Sequence, residues 1–346
     1  MYKPNYTVRN EVLNNVAEIE SIWTTVKHAH ILPERQIEMR YRATVEKTYY
    51  STSIEGNRLT LKQVDAAFAG KTLTRHEYAV WEVRGYKKAL DFIEKRKLTG
   101  VRFSKEDLLK LHSLAMTGLI SEEKTGVYRK GDIYIVDQDD RVKYQGPPAK
   151  KTARLVDDLL TWLQAGAQDI HPCIVSGILH YQLVTIHPFS DGNGRTARLA
   201  VMLYLGLQDY DFNSAIVLDT YYADGKQEYY ATLHACQGGD YNENTDLSSW
   251  LKYYTDGFLS SAKVLSAEIK IMSLLSQDRG QTRMSVDESD LLSYAKEFGG
   301  LTVSDACDIL KDTPRRTVQR KLKKLVDDGY LAVRGAGKST IYKWRE

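Results

Sequence analysis

The sequence of 346 residues predicts a largely α-helical protein with one β-hairpin in its main domain and a small mixed domain at its C-terminus. Long stretches carry apolar residues at helical spacing, which favours amphipathic or buried helices. Within the main domain, β-branched residues alternate with polar ones at residues 133–144, which favours a strand pair. A polar segment then separates the end of the chain. These observations divide the chain into an N-terminal helical region at 1–98, a main domain at 99–276, a linker at 277–284 and a C-terminal domain at 285–346.

The composition is that of an ordinary globular chain, with 42% hydrophobic and 27% charged residues. A net charge of +3 gives no whole-protein argument for nucleic acid. The scattered cysteines Cys173, Cys236 and Cys307 form no close pair, which argues against a disulfide scaffold or a zinc site and for a reducing compartment. The start of the chain lacks the apolar core of a signal peptide, and no apolar run approaches the length of a membrane span. We therefore expect a cytoplasmic protein with no membrane contact.

In the N-terminal region, apolar residues at loosely helical spacing predict a helix at 8–31. A second, long amphipathic helix follows from residue 33 and is expected to end at Gly56-Asn57. Thr60 is a predicted N-cap of a short helix. Residues 75–97 predict another long helix.

The main domain is predicted to alternate helices with one hairpin. The hairpin has strands at 133–136 and 141–144, with Asp139-Asp140 as its turn. The further predicted helices are 104–116, 150–164, 174–186, a helix opened by residues 192–194, 226–237 and 245–276, with a loop at 211–219.

Residues 186–198, IHPFSDGNGRTAR, place the richest set of polar groups between two apolar runs. Both runs are predicted to be buried helices, and Pro188 with the two glycines interrupts the pattern between them. The first N–H groups of a helix lack internal partners and carry positive partial charge, so they bind anions. A phosphate could approach closely at the glycines of residues 192–194.

The side chains of this stretch indicate a nucleotide site. Arg195 and Arg198 lie on one helical face and can each bind phosphate oxygens. Asp191 would repel a bare phosphate but suits a Mg²⁺ that bridges carboxylate and phosphates. His187 is the candidate general base toward a hydroxyl. A lone histidine near a helix end is more often structural, and it is the whole string that favours this chemistry.

The string matches, at every defined position, the HxFx(D/E)GNGRxxR signature of the Fic family, and the chain therefore resembles a Fic-domain protein. The resemblance implies an all-α core that transfers AMP from ATP to a Ser, Thr or Tyr hydroxyl of a target protein, or of itself, and releases pyrophosphate. It implies that His187 accepts the hydroxyl proton and that Asp191 holds Mg²⁺. Relatives that act as kinases carry a larger residue at the position of Gly194. The phosphate-binding residues implied are Gly192, Asn193, Gly194, Arg195 and Arg198.

Residues 51–56, STSIEG, match the family's inhibitory pattern (S/T)xxxE(G/N). By itself, a serine four residues before a glutamate is common by chance on an exposed helix face. The resemblance implies that Glu55 pairs with Arg198, makes this arginine unavailable to the γ-phosphate and so inhibits transfer. It also leaves open that Glu55 orients a water and lets the same site remove AMP from a modified protein.

The resemblance assigns roles to three further places. The strand at Ile133–Val136 matches a flap that holds the target segment in extended form, although an ordinary surface hairpin would show the same pattern. Tyr229 and Tyr230 match a pair that borders the adenine, although core packing is the default for tyrosines. Gln237 stands where the family often has Asn, and it offers the same amide group.

The C-terminal domain has predicted helices at 290–298, 303–310 and 317–328, then strands at 330–334 and 340–344 around Gly335-Ala336-Gly337. This order resembles a winged helix-turn-helix. Residues 310–346 contain eleven Lys or Arg and four Asp or Glu. A basic third helix is typical of major-groove binding, but winged helices also bind proteins, and charged faces are often only solvated.

A different class of function therefore stays open, in which the chain is a nucleotide-sensing transcription regulator that binds DNA. The sequence also leaves open a homodimer. The complete motif favours the enzyme over the sensor.

Overall fold

The computed structural model of the chain describes residues 1–29, 31–71, 77–136, 141–277, 285–311, 313–335 and 340–345. The chain forms two compact units. We call Met1–Trp23 with Ala43–Val264 the site unit, and Thr24–Arg42 with Leu265–Glu346 the C-terminal unit. Residues 24–42, placed by sequence in the N-terminal region, group with the C-terminal unit because Ile37 packs into its hydrophobic core.

The predicted helices are present in the described residues, with ends shifted by a few positions. An additional short helix, α9, lies at the end of the predicted loop 211–219. The helices of the first three quarters of the chain are α1 Asn10–Lys27, α2 Pro33–Ile54, α3 Leu61–Phe68, α4 Glu77–Lys97, α5 Lys105–Ala115, α6 Ala149–Ala165, α7 Pro172–Ile186, α8 Asn193–Leu207, α9 Asp219–Asp224, α10 Lys226–Gln237 and α11 Ser248–Gln277.

Local sequence sets several of these ends. Thr60 caps α3 as predicted, and its side chain and that of Gln63 satisfy each other's backbone N–H groups. Ser104 and Asp107 form the same reciprocal box at the start of α5. Helix α2 stops before Gly56, whose φ of 101° is a conformation that side chains rarely adopt.

Helix α7 is buried almost along its whole length, which fixes the position of everything that follows it. Trp250 on α11 donates its indole N–H to the Gly177 carbonyl at 2.8 Å, and Tyr254 bonds the Ser176 hydroxyl at 2.9 Å. A Cβ at residue 177 would come within 2.8 Å of the Tyr254 ring, so only glycine permits this packing. The C-terminal end of α7 is therefore held rigidly in the core.

The hairpin is formed by β1 Tyr134–Val136 and β2 Val142–Gln145, which pair antiparallel. The predicted turn Asp139-Asp140 lies outside the described residues. The Tyr144 hydroxyl donates to the Thr185 carbonyl on α7 at 2.7 Å, which anchors β2 to the core. The side chains of β1 remain exposed.

The C-terminal unit has the order of elements that the sequence predicts. A backbone bridge between Leu301 and Tyr342 extends its sheet. Of the predicted linker, Gln277 belongs to α11 and residues 278–284 lie outside the described part, as do residues 336–339 of the predicted turn. The elements are α12 Val286–Glu297, α13 Val303–Ile309, α14 Arg315–Asp327, β3 Leu331–Arg334 and β4 Ile341–Trp344.

Candidate active site

The loop between α7 and α8 brings the motif residues into one turn of fixed shape. His187 ends α7 with a left-handed backbone, φ 51° and ψ 61°, which is uncommon for a residue with a side chain. Gly192 precedes α8 with φ 73°. The buried Asn193 accepts from the Phe189 N–H at 2.8 Å and donates to the Phe189 carbonyl at 2.9 Å. The Asn193 side chain therefore holds the loop, and only its backbone N–H remains for a ligand.

A buried histidine of α5, His112, supports the same loop. Its ring stacks on Phe189 with centroids 3.8 Å apart. The Gly126 N–H donates to Nδ1 at 2.8 Å, so Nε2 carries the proton and donates to the Asp191 carbonyl at 3.1 Å. Burial lowers the pKa of His112 to about 4, which keeps the ring neutral. Sequence reasoning missed this residue, which lies far from the motif in the chain.

The ring of His187 is set up to accept a proton. Its Nδ1 lies 3.2 Å from the Val184 carbonyl, and this contact requires a proton on Nδ1. Nε2 then keeps its lone pair. Burial is the largest effect on the ring and lowers its pKa below 6.5, since it outweighs the hydrogen bond to Val184, which favours the charged form. The neutral imidazole needed for a general base is therefore the stable form at neutral pH.

A buried arginine, Arg129, joins the catalytic loop to the base of the hairpin. Its Nε donates to the His187 carbonyl at 2.8 Å, Nη1 to the Gly131 carbonyl at 2.8 Å and Nη2 to the Pro147 carbonyl at 2.5 Å. Its backbone N–H donates to the Pro188 carbonyl at 2.9 Å. One side chain thus fixes the backbone of His187 and both ends of the hairpin. Sequence reasoning missed it, because a loop arginine has no local signature.

The start of α8 has no room for side chains at its glycines. A Cβ on Gly192 would collide with the sulfur of Met116. A Cβ on Gly194 would collide with the carboxylate of Glu55 and come within 3.1 Å of Nη1 of Arg198. The Glu55 carboxylate therefore lies directly against the helix start that the sequence predicts to bind phosphate.

Arg198 is buried and surrounded by acceptors. Its Nη2 donates to Oε1 of Glu55 at 2.8 Å and to the Ser51 carbonyl at 2.9 Å, while Nε donates to the Ser51 hydroxyl at 2.7 Å. Burial raises the pKa of the Glu55 carboxyl, but the charge and hydrogen bond of Arg198 outweigh it and hold this pKa below its usual value. Glu55 and Arg198 therefore meet as an ion pair, as the sequence pattern predicts.

A second carboxyl group, that of Asp219 on α9, lies beside Arg198. Oδ1 of Asp219 lies 3.1 Å from Nε, although the Nε–H itself is directed to Ser51. Asp219 is 1% exposed, and burial raises its pKa against the effect of Arg198. Among the described residues, Nη1 of Arg198 has no hydrogen-bond partner. The two N–H groups of this nitrogen are thus left over.

The other arginine of the motif, Arg195, pairs with a residue that sequence reasoning missed. Its Nη1 donates to Oε1 of the buried Glu82 on α4 at 2.6 Å. Oε2 of Glu82 accepts from Asn57 at 2.7 Å. Within the described part of the chain, Nε of Arg195 has no partner. A signal for Glu82 did exist, since it lies between two apolar residues, Val80 and Val83, that are both buried. A carboxylate in such a position needs a hydrogen-bonding or charged partner.

Asp191 is placed differently from the arginines, since its side chain is 51% exposed. Its Oδ1 accepts the Gly192 N–H at 2.6 Å, and Nη2 of Arg195 lies 3.4 Å away. No group of three or more His, Cys, Asp or Glu side chains in the described ranges is arranged to hold a metal. The donor set fits Mg²⁺ held by one carboxylate and by phosphate oxygens. The guanidinium N–H groups that have no partner in the described part of the chain, and the helix start beside Glu55, fit those phosphates.

The tyrosine pair on α10 divides between core and surface. Tyr229 is 2% exposed, and its hydroxyl lies 2.9 Å from Nε2 of His180. Tyr230 is 43% exposed. Only Tyr230 therefore offers an open ring face for a base, while Tyr229 packs behind it with ring centroids 5.0 Å apart.

Gln237 and Ile133 lie near the ends of the site. The buried Gln237 donates to the Thr185 hydroxyl on α7 at 3.0 Å. Ile133 comes just before β1, and its side chain fills the space where residue 146 would carry a Cβ, so Gly146 is required there. The first contact ties α10 to α7, and the second brings the two ends of the hairpin together.

This geometry agrees with the comparisons to known proteins. Residues 102–205 match the model of the Fic/DOC family. This part of the chain is therefore similar to a Fic domain. The matched region runs from the start of α5 to the end of α8, so Glu55, Glu82 and the α10 residues lie outside it.

The relatives and solved structures similar to this chain are Fic proteins. The chain is 25% identical to protein adenylyltransferase fic-1 of Caenorhabditis elegans over 293 residues, which is 82% of this chain and 52% of that protein. It is 30% identical to protein adenylyltransferase Fic of Drosophila erecta over 164 residues, 45% of this chain and 31% of that protein. A crystal structure of a Fic family protein from Desulfovibrio desulfuricans has 26% identity and a TM-score of 0.65, and the similarity covers 99% of this chain and 98% of that one. The chain thus spans about a third to a half of the length of these two curated relatives. Its site unit has the mostly helical Fic fold, with one small antiparallel hairpin in its described part.

Proposed function

We propose that this protein transfers AMP from ATP to a hydroxyl group of a target protein and that Glu55 restrains the reaction. The observation that carries the proposal is the position of His187, whose Nδ1 lies against the Val184 carbonyl, just before a helix start whose glycines have no room for side chains. The names of the similar relatives, which are protein adenylyltransferases, support it.

In this mechanism, the target hydroxyl oxygen attacks the α-phosphorus of ATP and the bond to the pyrophosphate oxygen breaks. The hydroxyl proton goes to Nε2 of His187. The N–H groups of Asn193 and Gly194 bind the phosphate oxygens as negative charge develops, while the Gly192 N–H donates to Asp191. Arg195 and Arg198 bind the outer phosphates, and Asp191 would hold Mg²⁺. When bound, the metal neutralises phosphate charge and favours departure of pyrophosphate.

The exposed hairpin is the proposed docking place for the target segment. Its strand β1 pairs with β2, which is the only strand beside it among the described residues, so its other edge keeps backbone N–H and C=O groups for an added strand. Exposed side chains of Tyr134 and Val136 can contact the side chains of such a segment.

The restraint follows from the position of Glu55. Its carboxylate occupies a donor of Arg198 and fills the space beside Gly194, so it competes with the outer phosphates for both. A phosphate must displace it or bind in a shifted position, and a shifted α-phosphorus is out of line for attack.

Labelled ATP tests the proposal. With α-labelled ATP and Mg²⁺, Glu55→Gly should label protein well above the unsubstituted chain, and Glu55→Gly with His187→Ala should not label it although it still binds ATP. Removal of Mg²⁺ by a chelator should also abolish labelling. Equal labelling with and without His187 would contradict the base assignment, and labelling by γ-labelled ATP would indicate a kinase.

Removal of AMP is the second candidate. Oε1 of Glu55 is bound to Arg198, while its side chain is 25% exposed and can still contact water. Protein labelled by the Glu55→Gly variant, once freed of ATP, distinguishes the two. Release of AMP on addition of the unsubstituted chain, but not of the variant, would favour removal.

A further inference from the structure

The basic residues of α14 form two sets that face different ways. Val318, Leu322 and Leu325 are buried and define the inner face of the helix. Lys321 lies 3.3 Å from the Asp287 carboxylate, and Lys324 lies 3.0 Å from Glu288. These two lysines hold α14 against α12.

The second set lies on the outer face. We call it the α14 cation face: Arg315, Arg316, Arg320 and Lys323, all exposed. In the described part of the chain, none of the four has a carboxylate partner within ion-pair distance, whereas both inner lysines do. Gln319, also exposed, lies between them. The acidic residues are Asp327, the last residue of the helix, and Asp328, its C-cap.

The spacing of the α14 cation face suits a nucleic acid duplex. From residue 315 to residue 323 the helix rises about 12 Å, and the major groove of B-DNA is about 12 Å wide and admits an α-helix. The face begins at the N-terminal end of α14, the end that recognition helices present to the groove. Arg334 of β3 and Arg345 after β4 add exposed cations on the hairpin of the same unit.

Other anionic partners fit this face less well. None of the large exposed hydrophobic side chains lies on α14, so it lacks the apolar surface that a membrane helix inserts and the anchors that protein interfaces use. The aromatic residues Tyr330, Tyr342 and Trp344 pack against the unit's core. They do not offer stacked platforms for the bases of a single strand.

We propose that the α14 cation face binds duplex DNA, mainly through its phosphates, with α14 in the major groove. This inference is independent of the proposed AMP transfer, because it concerns another unit of the chain and other residues. The C-terminal unit would then bind DNA in the manner of a winged helix-turn-helix domain.

The test measures binding of the full chain, without ATP, to a fluorescent duplex of about 20 base pairs. Each neutralised phosphate contributes about −0.9 to the slope of log K against log salt, so four contacts predict a slope of about −3.6. The triple variant Arg316→Ala, Arg320→Ala, Lys323→Ala should reduce this slope by about 2.7 units and weaken binding at least tenfold at low salt. The matched control is Lys62→Ala, Lys88→Ala, Lys110→Ala, which removes the same charge from exposed lysines of the site unit.

Point variants are preferable to deletion of residues 285–346, because deletion would expose Ile37, which is buried in the same core. Circular dichroism should show that both triple variants remain folded. The proposal is overturned if the unsubstituted chain shows no salt-dependent binding, or if the control loses as much affinity as the α14 variant. It is also overturned if a single strand, polyglutamate or phosphatidylserine vesicles bind more tightly than the duplex at equal charge.

Discussion

The two units of this chain use positive charge in opposite ways. In the site unit, Arg129, Arg195 and Arg198 are buried, and each has acceptors at hydrogen-bond distance. In the C-terminal unit, the α14 cation face is exposed and has no carboxylate partner among the described residues. A buried charge interacts strongly with the few groups around it, since water does not screen it. An exposed charge interacts weakly, so several exposed charges are needed for a large effect.

This contrast predicts how each unit responds to substitution. Loss of one buried guanidinium should change the site by a large, specific amount. Loss of one exposed cation on α14 should weaken DNA binding by a small amount, and the free-energy losses of several such substitutions should add.

The largest effect is expected at Arg129, in the Glu55→Gly background so that transfer is measurable. Arg129→Met leaves buried carbonyls without a donor, which costs about 1–3 kcal/mol for each group that stays unsatisfied. The displaced His187 should lower kcat about 100-fold, as small misplacements do in active sites, while the Kd for ATP changes little. Steady-state kinetics, ATP titration and urea unfolding measure the three quantities.

The conservative control is Arg129→Lys, which keeps the charge but cannot reach the carbonyls of His187, Gly131 and Pro147 together. It should also lose most of kcat. A lysine variant with full kcat, or a methionine variant that loses only stability, would show that Arg129 does not position the base.

An intermediate effect is expected where Glu55 and Asp219 share Arg198. With both carboxylates removed, the buried guanidinium has no counter-ion, and a buried unpaired charge is costly. Glu55→Gly and Asp219→Asn should therefore destabilise the protein together by roughly 1–2 kcal/mol more than the sum of the single variants. Unfolding free energies of the four forms measure the coupling. Strict additivity would mean that Asp219 does not serve as the second counter-ion.

The sequence predicts the site residues that are close together in the chain, and it misses those that distant parts of the chain bring to the site. His187 to Arg198 lie within one loop and one helix turn, so their order alone identifies them. Glu55 is predicted only through the family resemblance, because a serine four residues before a glutamate is common by chance. Glu82 and Asp219 lie on other helices, and no periodicity shows which arginine a buried carboxylate will meet.

The same limit applies to the C-terminal unit. Its helices and strands follow from local pattern and were predicted within a few residues. The count of Lys and Arg residues predicts a basic segment but not its division into two faces. Lys321 and Lys324 differ from Arg316 and Arg320 only in their ion pairs with α12, and these cannot be read from the sequence. The grouping of residues 24–42 with this unit also depends on a contact, that of Ile37, between distant parts of the chain.

The smallest effect, and the one that refines the comparison most, is the pH dependence of transfer by the Glu55→Gly variant. Burial lowers the pKa of His187 below 6.5, and the neutral form, present above that pKa, is the active base. Glu55 raises this pKa by its charge, so its removal should lower it further. The kcat/KM for ATP, which reports the protonation state of the free enzyme, should thus change little as the pH falls from about 7 to 6.5 and fall at lower pH as the ring gains a proton. A half-maximal point of kcat/KM at or above pH 6.5 would mean that the ring is solvated like an exposed histidine. The contrast between buried and exposed charge would then fail at the residue on which the chemistry depends.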